Sequence, residues 1–329
     1  MLFLDSEAVR KALPMEQAIG LMAGVMRAYS GGEVTQPLRT ILRPPAGDGV
    51  FAAMPCHVAG DLPGYGLKAI MLKPGNREKG LPVHVGVVLV FDPGTGYPLA
   101  MLDGAELTAI RTSAVSAVAT DALAVPGAGD LAIIGSGVQA RGHLEALALV
   151  RSLRRVRVYS PTAAHAEDFR RWAASWLDVP VEVMPSAGAA LAGADLVCTT
   201  TSAKDPVVAG TDLAPGAHVN AVGASVADAR ELSSDAVARC AVFVDSKESA
   251  ASESGDLRVP LAEGLTGPDH VLAELGEVLL GRHEGRRDPG QITLYKSLGM
   301  AAQDIVSGFA AARSARELGL GIDVPYPAR

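Results

Sequence analysis

Four side chains able to grip an anion sit among apolar neighbours in the first third of this sequence. In "ELTAIRTSAVSAVAT" (106–120), Leu107, Ile110, Ala114, Val115 and Val118 form one stripe at helical spacing, and Arg111 lies inside that stripe. A guanidinium keeps its proton, and burying it unpaired costs several kcal/mol, so Arg111 demands an anion. A ligand carboxylate or phosphate meets that demand, and so does an internal Asp or Glu. In "YGLKAIML", Lys68 alternates onto the face of Ile70 and Leu72. In "PLRTILR", Arg39 lies with Ile41 between apolar neighbours. In "LPVHVGVVLVF", His84 shares a face with Gly86, Val88 and Val90. Taken singly, each cation could snorkel to water or pair with an acid, and the histidine could be structural. As a converging set they would hold a shared anion, such as a substrate carboxylate.

Composition sets the frame for these residues. The chain has 329 residues, 49% of them hydrophobic and 20% charged, enough for a large core and two domains. A net charge of −7 argues against nucleic-acid binding, and the most basic stretch, "RSLRRVR" at 151–157, reads as a helix end running into a strand. Cys56, Cys198 and Cys240 are scattered, lack metal-ligand spacing and fit a reducing cytoplasm. With no signal-peptide pattern and no apolar run of spanning length, the expectation is a cytoplasmic protein that binds neither membrane nor metal.

Pro14 opens a helix with Ala18, Leu21, Met22, Val25 and Met26 on one side, stopped at Gly31-Gly32. From 34 to 102 the period changes to two, with turns at "PPAGDG", "KPGN" and "DPGTG", as in an antiparallel sheet. Beyond the Arg111 helix, "LAIIG", "RVRVYS", "VEVMP", "DLVCTTT", "AHVNAVG", "AVFVDS" and "ITLYKS" alternate with Ala-rich helical stretches, the pattern of βαβ units. The predicted fold class is α/β: a Rossmann-type, doubly wound parallel sheet domain over 121–299, plus an α+β substrate-binding and dimerisation domain over 1–120. A terminal helix within 300–329 is expected to rejoin the first domain.

"DLAIIGSGVQARGHLEAL" is strand, tight turn and helix. Gly135, Ser136, Gly137, Val138, Gln139 and Ala140 spell G-x-G-x-x-A at the junction. Its first glycine permits the turn, its second lets backbone approach a pyrophosphate, and the small third residue lets helix and strand pack closely. The helix N-terminus then receives the pyrophosphate. The following strand ends in Ser160, Pro161 and Thr162, with no acid for the ribose hydroxyls of NAD(H). Two hydroxyls and no repelling charge favour NADP(H), with NAD(H) still possible.

Over nearly its whole length the sequence resembles the ornithine cyclodeaminase/mu-crystallin family. The stretches that carry the likeness include "QPLRT", "GLKAI", "LDGAELTAIRTSAVSA", "IIGSGVQA", "NAVGASVADARELSSD", "VDSKESAASESGDL", "LAELGEVLLG" and "YKSLGMAAQD". The resemblance implies that Arg39 and Lys68 grip the substrate carboxylate, and that Arg111 lies at the cofactor phosphates and the substrate, with Thr112 beside it on the cofactor. It places Val138 and Gln139 over the pyrophosphate, Ser160 to Thr162 near the adenosine ribose and Thr200 and Thr201 along the cofactor. Val222 and Ser297 fall near the nicotinamide, Leu298 near the substrate. It also implies a homodimer built through the first domain. Cyclodeaminases of the family carry an acid directly after a glycine pair, where this chain has Gly223-Ala224-Ser225; Ser225 replaces the acid, and Asp228 is the nearest carboxylate. That form resembles the mu-crystallin, ketimine-reducing branch.

The expected function is therefore NAD(P)H-dependent reduction of a cyclic imino acid, such as Δ1-pyrroline-2-carboxylate or Δ1-piperideine-2-carboxylate, to the cyclic amino acid. The imine nitrogen needs a proton, and Lys68, His84 or a water held by Ser225 could supply it. The alternatives are ornithine cyclodeamination, amino-acid dehydrogenation of the alanine dehydrogenase kind, and a binding protein that retains NADPH or a small ligand without turnover.

Overall fold

The computed structural model describes residues 1–45, 49–60 and 64–326. The chain runs through β1 (Leu2–Leu4), α1 (Ser6–Ala12), α2 (Met15–Gly31), β2 (Val34–Thr35), β3 (Thr40–Leu42), β4 (Val50–Val58), β5 (Gly64–Leu72), β6 (His84–Phe91), β7 (Pro98–Asp103) and α3 (Gly104–Leu123). Next come β8 (Asp130–Ile134), α4 (Val138–Val150), β9 (Arg155–Tyr159), α5 (Ala163–Ala173), β10 (Val181–Val183), α6 (Ala187–Leu191) and β11 (Leu196–Thr199). They are followed by β12 (His218–Ala221), α7 (Ser234–Ala238), β13 (Cys240–Val244), α8 (Lys247–Glu253), α9 (Gly255–Ala262), β14 (Val271–Glu274), α10 (Leu275–Leu279) and β15 (Ile292–Lys296). Last are α11 (Ala301–Leu318) and β16 (Ile322–Asp323).

Two compact units result, one of Met1–Arg111 with Met300–Arg329 and one of Thr112–Gly299. The division falls inside α3, at Arg111, rather than at residue 120 as the sequence pattern predicts. A helix boundary is a poor guide here because α3 runs unbroken from one unit into the next.

In the first unit the sheet order is β16-β1-β7-β6-β5-β4-β2, with β3 paired to β4 off this path. Strands β4 to β7 are antiparallel neighbours, as the period-two pattern requires, and β1 adds to β7 in parallel. The centre of the "PPAGDG" turn, 46–48, lies outside the described residues. Helix α2 begins after Pro14 and ends at Gly32, whose φ of 85° is the left-handed cap a glycine supplies. Helix α11 packs against β4, β5 and β6. Its approach to β5 needs strand positions without side chains: a Cβ on Gly66 would lie 2.3 Å from Ile305 Cδ1, and one on Gly64 2.3 Å from Phe309 Cζ.

In the second unit every neighbouring pair is parallel, in the order β10-β9-β8-β11-β12-β15-β13-β14. Chain progression reverses between β8 and β11, so the carboxyl ends of these two strands flank the switch point of a doubly wound sheet. The core here gathers Ile134, Val197, Val219, Leu232, Val242 and Leu294. The edge strand β14 escapes the sequence pattern, being four residues long with a buried Ala273 as its only fully covered position. Helix α3 also differs from its predicted single stripe: residues 107 to 120 are buried on every side. Its small and hydroxylated residues allow that, since Ala, Ser and Thr leave no polar face that needs water. Among the described residues no helix is long and apolar enough to cross a membrane.

The Gly66 contact predicts the effect of a single methyl. Gly66→Ala should destabilise the protein by about 1–3 kcal/mol through overpacking, read as a lowered denaturant midpoint. Trimming the partner in Gly66→Ala/Ile305→Val should recover part of that loss; an unchanged midpoint in the single variant would contradict this packing.

Candidate active site

In the first unit, β5, α3 and α11 each deliver one ionised group to the same point. Lys68 Nζ donates to Asp304 Oδ1 at 2.8 Å and to Thr108 Oγ1 at 2.7 Å. Arg111 Nε donates to the same Oδ1 at 3.0 Å, and its Nη1 donates to Gln303 Oε1 at 2.9 Å. All of these side chains are buried. The anion that meets Arg111 is thus internal, one of the two partners its sequence setting left open. Still, one carboxylate serves two buried cations, so a positive charge is left over. Asp304 Oδ2 is buried with no hydrogen-bond partner among the described residues.

The electrostatics follow from this arrangement. Burial lowers the Lys68 ammonium to about 8, with Arg111 and Arg39 pushing the same way and Asp304 opposing them. Burial alone would raise the Asp304 carboxyl, but Arg111 and Lys68 hold it below its ordinary value. His84 is lowered to about 4, chiefly by burial and then by Lys68 and Arg111. A shift in that direction favours the neutral imidazole near pH 7, which weighs against His84 as the general acid there. Arg39 stands just before β3, whose three residues are all exposed, so it is not set in a hydrophobic element as its neighbours suggest. It is half-buried and close enough to lower Lys68.

In the second unit, the sequence-predicted cofactor residues gather along one edge of the parallel sheet. Gly135 to Gln139 follow β8, Ser160 to Thr162 follow β9, Thr200 and Thr201 follow β11, Val222 follows β12 and Ser297 follows β15, with the predicted substrate residue Leu298 next in the chain. Parallel strands make this a single edge, the carboxyl one, where doubly wound sheets bind their ligands. Gly135 adopts φ 114°, and a Cβ there would lie 2.7 Å from Thr200 Oγ1. A Cβ on Gly137 would meet nothing within 4 Å. Gly137 caps α4 with no side-chain hydrogen bond, and Gln139 Oε1 is buried without a partner among the described residues. A tight turn, open space over the second glycine and an uncapped helix start fit a dinucleotide pyrophosphate. Ser225 is half-buried and Asp228 exposed, on the segment after β12. Thr112 is buried within α3, away from these strand ends in sequence. Among the described residues no cluster of His, Cys, Asp or Glu could hold a metal.

Sequence reasoning overlooked Asp304, Gln303 and Thr108 in the first unit. A signal for the first two was present: in "AAQDIVSG", Gln303 and Asp304 interrupt an apolar helix just as Arg111 does. Two misplaced groups of opposite sign are natural partners.

The family model for the ornithine cyclodeaminase/mu-crystallin family matches residues 1–317. Delta(1)-pyrroline-2-carboxylate reductase of Bacillus cereus is 38% identical over 327 residues, covering 99% of this chain and 100% of its own length. Ketimine reductase mu-crystallin of Mus musculus is 38% identical over 313 residues, 93% of this chain and 94% of that one. The solved Thermococcus litoralis Delta(1)-pyrroline-2-carboxylate reductase, in complex with NADH and L-proline, superposes with a TM-score of 0.95 at 36% identity, covering 98% of this chain and 100% of that chain. Matched from end to end, the chain belongs to the ornithine cyclodeaminase/mu-crystallin family.

Proposed function

We propose that this chain is an NAD(P)H-dependent ketimine reductase that converts a cyclic imino acid, such as Δ1-pyrroline-2-carboxylate or Δ1-piperideine-2-carboxylate, to the cyclic amino acid. The observation that carries the reading is the uncompensated positive charge of Lys68 and Arg111 around a single carboxylate. It is a receptor for one more anion, and an imino acid offers a carboxylate beside its C=N carbon. The reductases and the NADH- and proline-bound relative named above support the same chemistry.

A bound nicotinamide supplies the hydride that reaches the imine carbon. Arg39, Lys68 and Arg111 hold the substrate carboxylate and so orient that carbon. Lys68 also serves as the proton donor: Thr108 and Asp304 take two of its three N–H groups, and its lowered pKa makes it a competent acid near neutrality. The proton goes to the imine nitrogen, the hydride to the carbon, and the C=N double bond becomes a C–N single bond. Following NAD(P)H absorbance with both cyclic imines tests the function. Turnover of ornithine, or of pyruvate with ammonia, in place of any cyclic imine would overturn it; the weak cyclodeamination expected here follows from Ser225 standing where an acid is needed.

Lys68 in the donor role predicts the pH profile. Its charged form is needed, so kcat/KM should fall as pH rises through about 8. Asp304 raises the Lys68 pKa, so Asp304→Asn should move that fall to lower pH. A limb that stays put in the variant, while activity persists, would exclude Lys68 as donor.

For the cofactor, the finer reading is a preference for NADPH over NADH. Ser160, Pro161 and Thr162 offer no negative charge, and Thr162 caps α5 without using its hydroxyl. Ser160→Asp should swing the ratio of kcat/KM towards NADH by about tenfold or more through like-charge repulsion of a 2′-phosphate. Wild-type protein that prefers NADH would reject this.

The protein is also read as a cytoplasmic homodimer assembled through the first unit. Leu42, Phe51, Met71 and Val85 are register partners across β3, β4, β5 and β6. They are 62%, 40%, 36% and 47% exposed, an apolar row on an open sheet face. Phe51→Glu should convert a dimer to a monomer in light scattering; a monomeric wild type would refute the assignment.

A further inference from the structure

Behind the cofactor edge of the second unit lies a buried ionic array that the proposed reaction does not use. Glu231, Asp256 and Lys296 are all fully buried. The Glu231 carboxylate accepts from three groups: Thr201 N at 2.6 Å on one oxygen, and Thr199 Oγ1 and Gly223 N, each at 2.7 Å, on the other. Thr199 ends β11 and Thr201 follows it, while Gly223 follows β12, so one side chain ties the segments after two neighbouring strands together. Gly223 is held so tightly that a Cβ there would lie 2.1 Å from Thr201 O and 2.5 Å from Glu231 Oε1. Lys296 secures the next residue by donating to Ala224 O at 2.6 Å, and it pairs with Asp256 Oδ2 at 2.8 Å. Asp256 Oδ1 in turn accepts from Glu231 N at 2.8 Å and Leu232 N at 3.0 Å, which fixes the backbone that carries Glu231.

The array therefore grips the 199–201 and 222–224 loops from beneath, while Thr200 reaches the first glycine turn by donating to Ile134 O through N and Oγ1. We propose that Glu231, braced by the Lys296–Asp256 pair, is a positioning residue that locks the loops after β11 and β12 together and so fixes the ring half of the nicotinamide cofactor for hydride transfer. Three hydrogen bonds into one carboxylate give the lock a geometry that a neutral amide cannot copy. In Glu231→Gln, either seating of the amide turns an NH2 towards a backbone N–H, that of Thr201 or that of Gly223.

The inference rests on the reductase reading for its kinetic consequence but not for its binding consequence. Fluorescence titration with NADPH and NADH should show Glu231→Gln weakening the cofactor by about tenfold, as expected for a buried donor left facing a donor. With the cyclic imine as substrate, the primary isotope effect from 4-deuterated cofactor should rise as hydride transfer becomes more limiting. KM for the imine should stay within about twofold, because carboxylate binding is untouched. Thr199→Val is the gentler partner variant: it deletes one of the three donors and should shift cofactor binding in the same direction by about threefold. A lowered melting temperature with unchanged cofactor affinity and isotope effect would overturn the proposal. If Glu231→Gln does not fold, unchanged affinity in Thr199→Val overturns it alone. Wild-type protein that binds cofactor but reduces no imine sinks the reductase reading and leaves the titration to decide this one.

Discussion

Two buried cations held by one carboxylate are the interaction on which the first unit's chemistry depends. Neither Lys68 nor Arg111 could be sequestered without Asp304, because the desolvation of each would exceed what packing returns. Asp304 alone cannot neutralise both, so one positive charge is left over in the cluster. The elements serve this geometry. Gly64 and Gly66 let α11 settle onto β5, bringing Asp304 within reach of Lys68. Arg111 comes from the last turn of α3 that belongs to this unit. The same burial that makes the cluster costly lowers Lys68 towards neutral pH.

The second unit meets an unrelated requirement, that several loops present backbone to a dinucleotide without collapsing onto it. A parallel sheet gives every strand the same direction, so the segments after β8, β9, β11, β12 and β15 emerge together. Gly135 supplies the one left-handed conformation at the first of these turns, where contact with Thr200 leaves no room for a side chain.

Much of this was legible in the sequence because it rests on local rules. The glycine turn between an apolar strand and a helix, the change of period after residue 102 and the cap at Gly32 each follow from a few consecutive residues. Arg111 and Lys68 announced themselves as charges on apolar faces. Their partner was harder to find, since Asp304 is 236 positions from Lys68 and pairing across that span depends on the fold. Arg39 misled for the opposite reason: β3 is an edge strand, and apolar neighbours on an open edge do not imply burial. The apolar stripe of α3 was real but incomplete, because Ser113, Ser116 and Thr120 are buried too. Small hydroxylated residues can satisfy themselves on nearby groups, as Thr120 does by donating to Ser116 O at 2.8 Å, so their polarity says little about exposure.

The two units bury ionic clusters of opposite balance, and the difference separates a site from a scaffold. Lys68, Arg111 and Asp304 leave one positive charge in excess, and the neutral partners nearby, Thr108 and Gln303, are side chains that a ligand could displace or join. Glu231, Asp256 and Lys296 leave one negative charge in excess, but it is met by the backbone N–H groups of Thr201, Gly223, Glu231 and Leu232 and by the Thr199 hydroxyl. Backbone donors cannot move away without displacing the segments after β11 and β12 and the one leading into α7 that carry them. Burial raises the Glu231 carboxyl, while Lys296 and the groups that donate to it pull the other way. The cluster is consequently closed to ligands and rigid, whereas the first unit's cluster is held at one side and unsatisfied at the other. The first arrangement leaves charge that an incoming anion could meet, while the second leaves the segments after β11 and β12 tied to one carboxylate.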